Sequence, residues 1–428
     1  MLYRLVVALI TLSINAVAYG SLVLDFSGTA DPVLTVETDA SSGLQAIYVA
    51  PETTGLTISV RGEGAENAIW LRFTASGAAY AEQVGNGATL HDVTGDCGYA
   101  VETGGRRTYF WLADYSTAPA EPGELTVTDA GCDGTELIYT GTAPRMVAYA
   151  INGRPIEIDR GIKLTYMTLE ESETGFVQKS VAEDMAYITG TVHAGAPLCA
   201  TTFTLTADRF LSQWGREITV TSDRLTPVAV SAITSAEQQN RENLNEQNGD
   251  GTDGSFGGSA PCPMEFHAEV TDAAVFTEWQ LATDVEFENI TMRERTTDFN
   301  YTFTEAGTYY VRFEAADASG ACSFFSDTYT VSIGESRLRC PNAFSPGASE
   351  GVNDVWCVSY RSLTEFDCTI FNRWGVKIYH FDDPAGGWDG RYRGKLVPPG
   401  VYYYVIKARG ADGVNYNLSG DINIIGSR

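Results

Sequence analysis

The sequence is poor in the residues on which hydrolytic and nucleotide chemistry most often rests. Its 428 residues include four histidines, His91, His193, His267 and His380, and none lies in an HExxH motif. No GxSxG elbow and no GxxxxGK[ST] loop occurs, so metallopeptidase, α/β-hydrolase and P-loop chemistry lack their signatures. Lys and Arg number 28 against 55 Asp and Glu, a net charge of −27. Such a chain is repelled by nucleic acid and by anionic membrane surfaces. The eight cysteines form no CxxC pair, which removes zinc-ribbon and thioredoxin-like readings. Long helical periodicities are scarce, and after the first twenty residues no apolar run is long enough to span a bilayer.

What is present favours β-sheet. Hydrophobic residues make up 44%, enough for folded cores, and Gly (43), Tyr (22) and Phe (19) are abundant beside Thr and Val. The expectation is an all-β chain of tandem Ig-like antiparallel β-sandwich domains joined by Gly-rich turns. Charge is unevenly spread. Residues 336–428 hold 11 Lys and Arg against 9 Asp and Glu, whereas the rest hold 17 against 46. The acidity of that larger part reads as a solvated surface.

Residues 1–20 read as a secretory signal peptide. Arg4 precedes an apolar run from Leu5 to Ala18, and Ala16-Val17-Ala18 supplies small residues for cleavage near Ala18 or Gly20. The run is too short for a membrane span, and no Cys follows for lipid attachment. An exported chain enters an oxidising compartment, where disulfides persist. Pairing within domains predicts Cys97–Cys132, Cys262–Cys322 and Cys357–Cys368, leaving Cys199 and Cys340 free.

Four folded segments are expected. Residues 21–145 form a first β domain, with Tyr109-Phe110-Trp111-Leu112 as a core strand and Ala143-Pro144 and Asn152-Gly153 as punctuation. Residues 146–235 form a second sandwich. Residues 236–260 hold almost no large apolar side chain and read as a flexible linker. Residues 261–335 form a third domain, in which Tyr309, Val311 and Phe313 alternate toward one core. Its stretch from Tyr301 to Cys322, YTFTEAGTYYVRFEAADASGAC, resembles the PKD family of extracellular β-sandwiches. That likeness implies a spacer or adhesion module rather than a catalyst.

The last segment, 336–428, carries the densest motifs: CPNAFSPGASEGVNDVW, FDCTIFNRWGVKIYHF, GGWDGRYRGKLVPPGVYYYVIKARGADG and GDINIIG, in that order. Together they closely resemble the gliding-motility-associated C-terminal domain of Bacteroidetes proteins, the second type of sorting domain of type IX secretion. The resemblance implies two partners, the type IX secretion translocon and an outer-membrane attachment protein, and delivery to the outer-membrane surface or the medium. Asn372, Arg373, Trp374, Gly375, Trp388, Asp389, Gly390, Pro399 and Gly400 are the candidate recognition residues. They could equally fix turns and fill the core, and for Trp374 and Trp388 burial is the preferred reading. The family's acidic loop is altered here. Glu350, Asn353 and Asp354 are its remaining oxygen donors for a calcium ion.

No cofactor is expected. The leading expectation is a non-enzymatic surface protein whose sandwiches serve adhesion, binding or surface structure. One alternative is an accessory or signalling component that stays docked on the translocon. Another is a secreted hydrolase, for which His91-Asp92 with Asp96-Cys97 is the one nearby cluster holding a nucleophile.

Overall fold

A computed structural model describes residues 23–239, 241–247, 256–348 and 351–425. The expected signal peptide lies outside these residues, as does Glu350. The described chain is built of strands, with one short α-helix, Arg209–Gln213. Tandem antiparallel Ig-like sandwiches are the architecture throughout.

In the first unit a three-stranded sheet (Val23–Ser27, Thr57–Arg61, Thr89–Leu90) faces a six-stranded one. The second runs in the order Leu34–Val36, Ala46–Ala50, Arg106–Asp114, Cys97–Thr103, Ile69–Phe73, Glu82–Asn86. The second half of the Arg106–Asp114 strand, Phe110–Ala113, is apolar without alternation because both of its faces are buried. Phe110 and Leu112 pack with Ile58, Val60 and Trp70 between the sheets. Trp111 and Ala113 face the other way, onto Met146, Ala148, Ile158, Phe210 and Trp214.

Those partners belong to the next unit, and they correct the expected division at 145/146. Strand Gly134–Tyr139 pairs with Thr191–Gly195, setting Leu137 opposite Val192, so residues on both sides of 145 share one sheet. That sheet also contains Leu125–Ala130 and packs on a second one of Gly175–Met185, Ile162–Ser172, Thr204–Ala207 and Ile218–Thr221. Asn152-Gly153 is not a boundary but the turn of a hairpin, Met146–Tyr149 with Pro155–Ile158. The hairpin reaches back to cover the first unit's outer face. Arg160, fully buried where the units meet, donates to Asp208 Oδ2 (2.8 and 2.6 Å) and to the carbonyls of Ala118 (2.8 Å) and Pro144 (2.7 Å). The Arg160–Asp208 pair is thus fully engaged, as burial demands, whereas the buried Nε of neighbouring Arg209 has no partner.

The third unit packs Ala232–Gln238, Cys262–Val270 and Asp298–Phe303 against a larger sheet. That sheet holds Phe256–Gly258, Tyr329–Ile333, Gly307–Ala316, Phe276–Ala282 and Ile290–Glu294. Phe266, Trp279, Phe299, Val311 and Phe313 fill the space between. Residues 236–238 and 256–258 are therefore strand rather than linker.

The fourth unit is a five-stranded sheet in the order Ala343–Phe344, Asn415–Ile424, Gly400–Gly410, Leu363–Phe371, Lys377–Phe381. The pair Arg337–Arg339 and Ser359–Arg361 and the small hairpin Arg391–Tyr392/Lys395–Leu396 complete it. Trp356, Trp388, Ile370, Ile406 and Ile422 form its core.

The expected cysteine pairing is corrected as well. Cys132 bonds Cys322 across 190 residues, with Cα atoms 5.3 Å apart, joining the second unit to the third. Cys97, Cys262, Cys357 and Cys368 are free thiols. Cys262 and Cys368 point into the cores of their own sheets. Cys357 stands half-buried between the buried Trp356 and Val358.

Candidate functional site

Three separate stretches of the fourth unit converge on one groove of about 190 Å3. It is lined by Asn372, Arg373 and Trp374, by Ile378, and by Tyr392, Val397, Pro398, Pro399, Gly400, Val401 and Tyr402. Five of the nine candidate residues from sequence are among them: Asn372, Arg373, Trp374, Pro399 and Gly400.

The turn after Leu363–Phe371 builds the upper wall. Asn372 Oδ1 accepts the amides of Trp374 (3.0 Å) and Val376 (3.0 Å). Its own amide donates to the Val376 carbonyl (3.0 Å). Asn372 is thus a turn residue of the kind whose side chain imitates backbone. Gly375, at φ 77°, takes the left-handed position that closes the turn. The turn pushes Trp374 into solvent, where it is 76% exposed, and this corrects the preferred reading of a core tryptophan. The Arg373 guanidinium lies over its ring at 5.1 Å. The Arg393 guanidinium lies over the ring of Tyr392, another lining residue, at 5.2 Å. Tyr402, at the floor, donates its hydroxyl to the Pro398 carbonyl (2.9 Å). Burial raises that hydroxyl above its ordinary pKa, and the nearby Arg373 charge opposes the rise.

The other candidates are structural. Trp388 is fully buried among Phe344, Tyr379 and Tyr402, and its Nε1 donates to the Arg391 carbonyl (2.9 Å). Asp389 accepts the Arg391 amide (3.0 Å) and holds the turn beneath the small hairpin. A Cβ on Gly390 would stand 2.8 Å from Pro346 Cγ, so only glycine fits there.

With this geometry in view, the comparisons with known proteins fall into place. Residues 338–424 match the CHU_C type IX secretion signal domain. Residues 125–222 match a fibronectin type III domain, the second unit described above. No curated protein matches the chain. Among solved structures, dimeric latent PorU from Porphyromonas gingivalis aligns over 92% of this chain and 48% of its own. The chain thus spans about half the length of that protein, at 9% identity and a TM-score of 0.16, too low to bear on fold or function.

Of the three calcium candidates Glu350 lies outside the described residues, and the other two make hydrogen bonds within the altered loop. The Asp354 carboxylate is spent on the amides of Gly347 (2.9 Å) and Gly351 (2.7 Å), and the Asn353 carbonyl accepts the Ser345 amide (2.9 Å). Among the described residues no group of three or more His, Cys, Asp or Glu is placed to hold a metal ion.

The expected linker has a second role that composition did not reveal. Residues 241–247 dock on the signal domain. The Asn245 carbonyl accepts the Tyr360 amide (3.1 Å), and the Gln247 amide donates to the Tyr360 carbonyl (2.7 Å). Asn245 Nδ2 reaches the carbonyls of Val358 (2.8 Å) and Pro384 (2.7 Å). Glu246, buried, is held by Arg241 (2.7 Å) and Asn243 (2.9 Å).

The cluster near Cys97 holds a protonated thiol rather than an activated one. His91 Nδ1 lies 3.5 Å from Thr57 Oγ1. Burial raises the Cys97 thiol pKa, which keeps it protonated, and the charges acting on it are those of Arg72, Asp96 and Glu82.

The chain is therefore handled by the type IX secretion system, and its signal domain marks it for export to the cell surface or extracellular space.

Proposed function

We propose that this is a non-enzymatic protein whose β-sandwich units serve adhesion, binding or surface structure outside the outer membrane. The translocon and its attachment protein read the signal domain through the groove at Asn372–Trp374 and Pro399–Gly400. One observation carries the reading of the groove: residues far apart in the chain, singled out by motif alone, line a single concave surface whose most prominent member is an exposed tryptophan. Large exposed aromatics beside arginine are the usual anchors of protein interfaces. Trp374 has no folding role to explain its position, in contrast to Trp388.

The test is to delete residues 336–428 and follow the protein by fractionation and surface labelling. Retention in the periplasm is expected, and unchanged surface delivery overturns the sorting reading. Stable co-purification of the intact chain with the translocon would favour a docked accessory over a delivered cargo.

A further inference from the structure

We infer that the groove's occupant is an extended acidic peptide segment that seats one bulky side chain on the groove floor. This rests on the groove being the recognition face of the signal domain.

The chemistry of the rim points to negative charge. Arg373 lines the groove, and Arg373 and Arg393 are each stacked on an aromatic ring that lines it. Neither has a carboxylate within ion-pair distance among the described residues. The nearest acidic neighbour in sequence, Asp389, is engaged with Arg391 at 3.5 Å. No Asp or Glu lines the groove. Both arginines stand in the least acidic part of the chain, residues 336–428, which hold 11 Lys and Arg against 9 Asp and Glu. Stacking fixes a guanidinium and shields one face, leaving its N–H edge free for a carboxylate. Two such edges, each beside a ring of the same groove, suit two carboxylates on one chain.

The shape points to a peptide. At about 190 Å3 the groove is smaller than sites that enclose small organic ligands, which run to roughly 300–1,000 Å3. It is large enough for one bulky side chain, against a floor of Ile378, Val397 and Tyr402. Ile378 also belongs to Lys377–Phe381, the strand that ends the five-stranded sheet. No sixth strand pairs with it among the described residues, so its outer backbone groups are open to an incoming extended segment. Groove and open edge therefore adjoin at Ile378.

The experiment uses the mature chain, residues 21–428, and a rhodamine-labelled ten-residue peptide alternating Glu or Asp with Phe and Val, read by fluorescence anisotropy. The acidic peptide is expected to bind, more weakly as salt rises. The Arg373→Glu/Arg393→Glu variant should lose at least about tenfold in affinity, since charge-assisted bidentate contacts are removed. A peptide with Lys at every acidic position should not bind. Both substitutions are at exposed turn positions, and an unchanged melting curve verifies the fold. If the double Glu variant unfolds, the Arg373→Gln/Arg393→Gln variant takes its place. Equal affinity of the charge variant, binding of the Lys peptide, or failure of the acidic peptide overturns the inference. So does tighter binding to phosphatidylglycerol vesicles or to polygalacturonate, which would assign the groove to a lipid surface or an anionic glycan. In cells the charge variant should be retained like the deletion. Normal delivery of the charge variant beside retention of the deletion sinks the acidic-peptide inference and leaves the sorting role standing. Normal delivery of the deletion sinks the sorting role, and the titration still judges the groove.

Discussion

At the scale of single residues, the two tryptophans of the signal domain show how one residue type is put to opposite uses. Trp388 fills the core and donates its indole N–H. Trp388→Ala should cost about 3–5 kcal/mol, as loss of a large buried aromatic does, and calorimetry will show the melting of this unit falling. Trp374→Ala should leave that melting within about 0.5 kcal/mol, as exposed substitutions do, yet impair delivery. A matching loss of stability would make Trp374 structural after all. The motif alone could not separate the two, because both sit in Gly-flanked turns of similar appearance. What decides is Asn372, whose side chain bonds to two amides and turns the next residues outward. Asp412 offers a pH test in the same unit. Burial pushes its carboxyl up, but hydrogen bonds from the Ser336 hydroxyl (2.7 Å) and amide (2.9 Å) and from the Val414 amide (3.2 Å) outweigh it, and the pKa is lowered below 3.8. A depressed carboxylate stabilises the fold above its unfolded pKa and loses that contribution as pH falls through the folded one. Melting temperature should therefore drop below about pH 4 in the parent. Asp412→Asn should flatten that acid limb, and an unaltered limb would assign it to other carboxylates.

At the scale of elements, much of the architecture is visible in the sequence because sheets announce themselves by alternation and by turn residues. In the signal domain the apolar runs of the motifs are strands, FDCTIF ending Leu363–Phe371 and GVYYYVIKARG forming Gly400–Gly410, and Ala411-Asp412-Gly413 turns the chain into Asn415–Ile424. The segment 241–247 was not legible, for a physical reason. Composition reports apolar burial, and this segment docks through backbone groups and short amides instead. Asn245 is its centre. Asn245→Ala removes donors to two carbonyls and should cost about 1–3 kcal/mol, the usual loss when buried partners go unsatisfied. Hydrogen exchange at the Tyr360 amide should accelerate together with that loss. If exchange and melting are both unchanged, the docked segment contributes nothing and the linker reading returns. The division at 145/146 failed for a related reason: Asn152-Gly153 is a strong turn signal, but a turn signal does not say whether the chain is leaving a domain or folding back onto one.

At the scale of the whole molecule, the expected disulfides assumed that each unit is stapled separately, whereas the observed bond joins two units. Buried thiols and disulfide sulfurs are alike in sequence, since both are cysteines beside strands. Only the packing distinguishes Cys262 and Cys368, whose thiols burial raises to about 11 and about 12, from Cys132 and Cys322. The bond has company. The hairpin of Ile162–Ser172 and Gly175–Met185 extends past its sheet until the Phe176 amide meets Glu269 Oε1 of the third unit (3.3 Å). Of these two links between the fibronectin type III-like unit and its neighbour the covalent one must dominate, because an exposed hydrogen bond contributes little net. Replacing both cysteines by serine should destabilise these units by about 2–5 kcal/mol, given the 190-residue loop that the bond closes. Small-angle scattering should show the radius of gyration rising as the two units part. Glu269→Ala alone should leave it unchanged. If the cysteine variant keeps the parent's dimensions and melting, the units are held by their surfaces and the disulfide is incidental to the shape that the signal domain delivers.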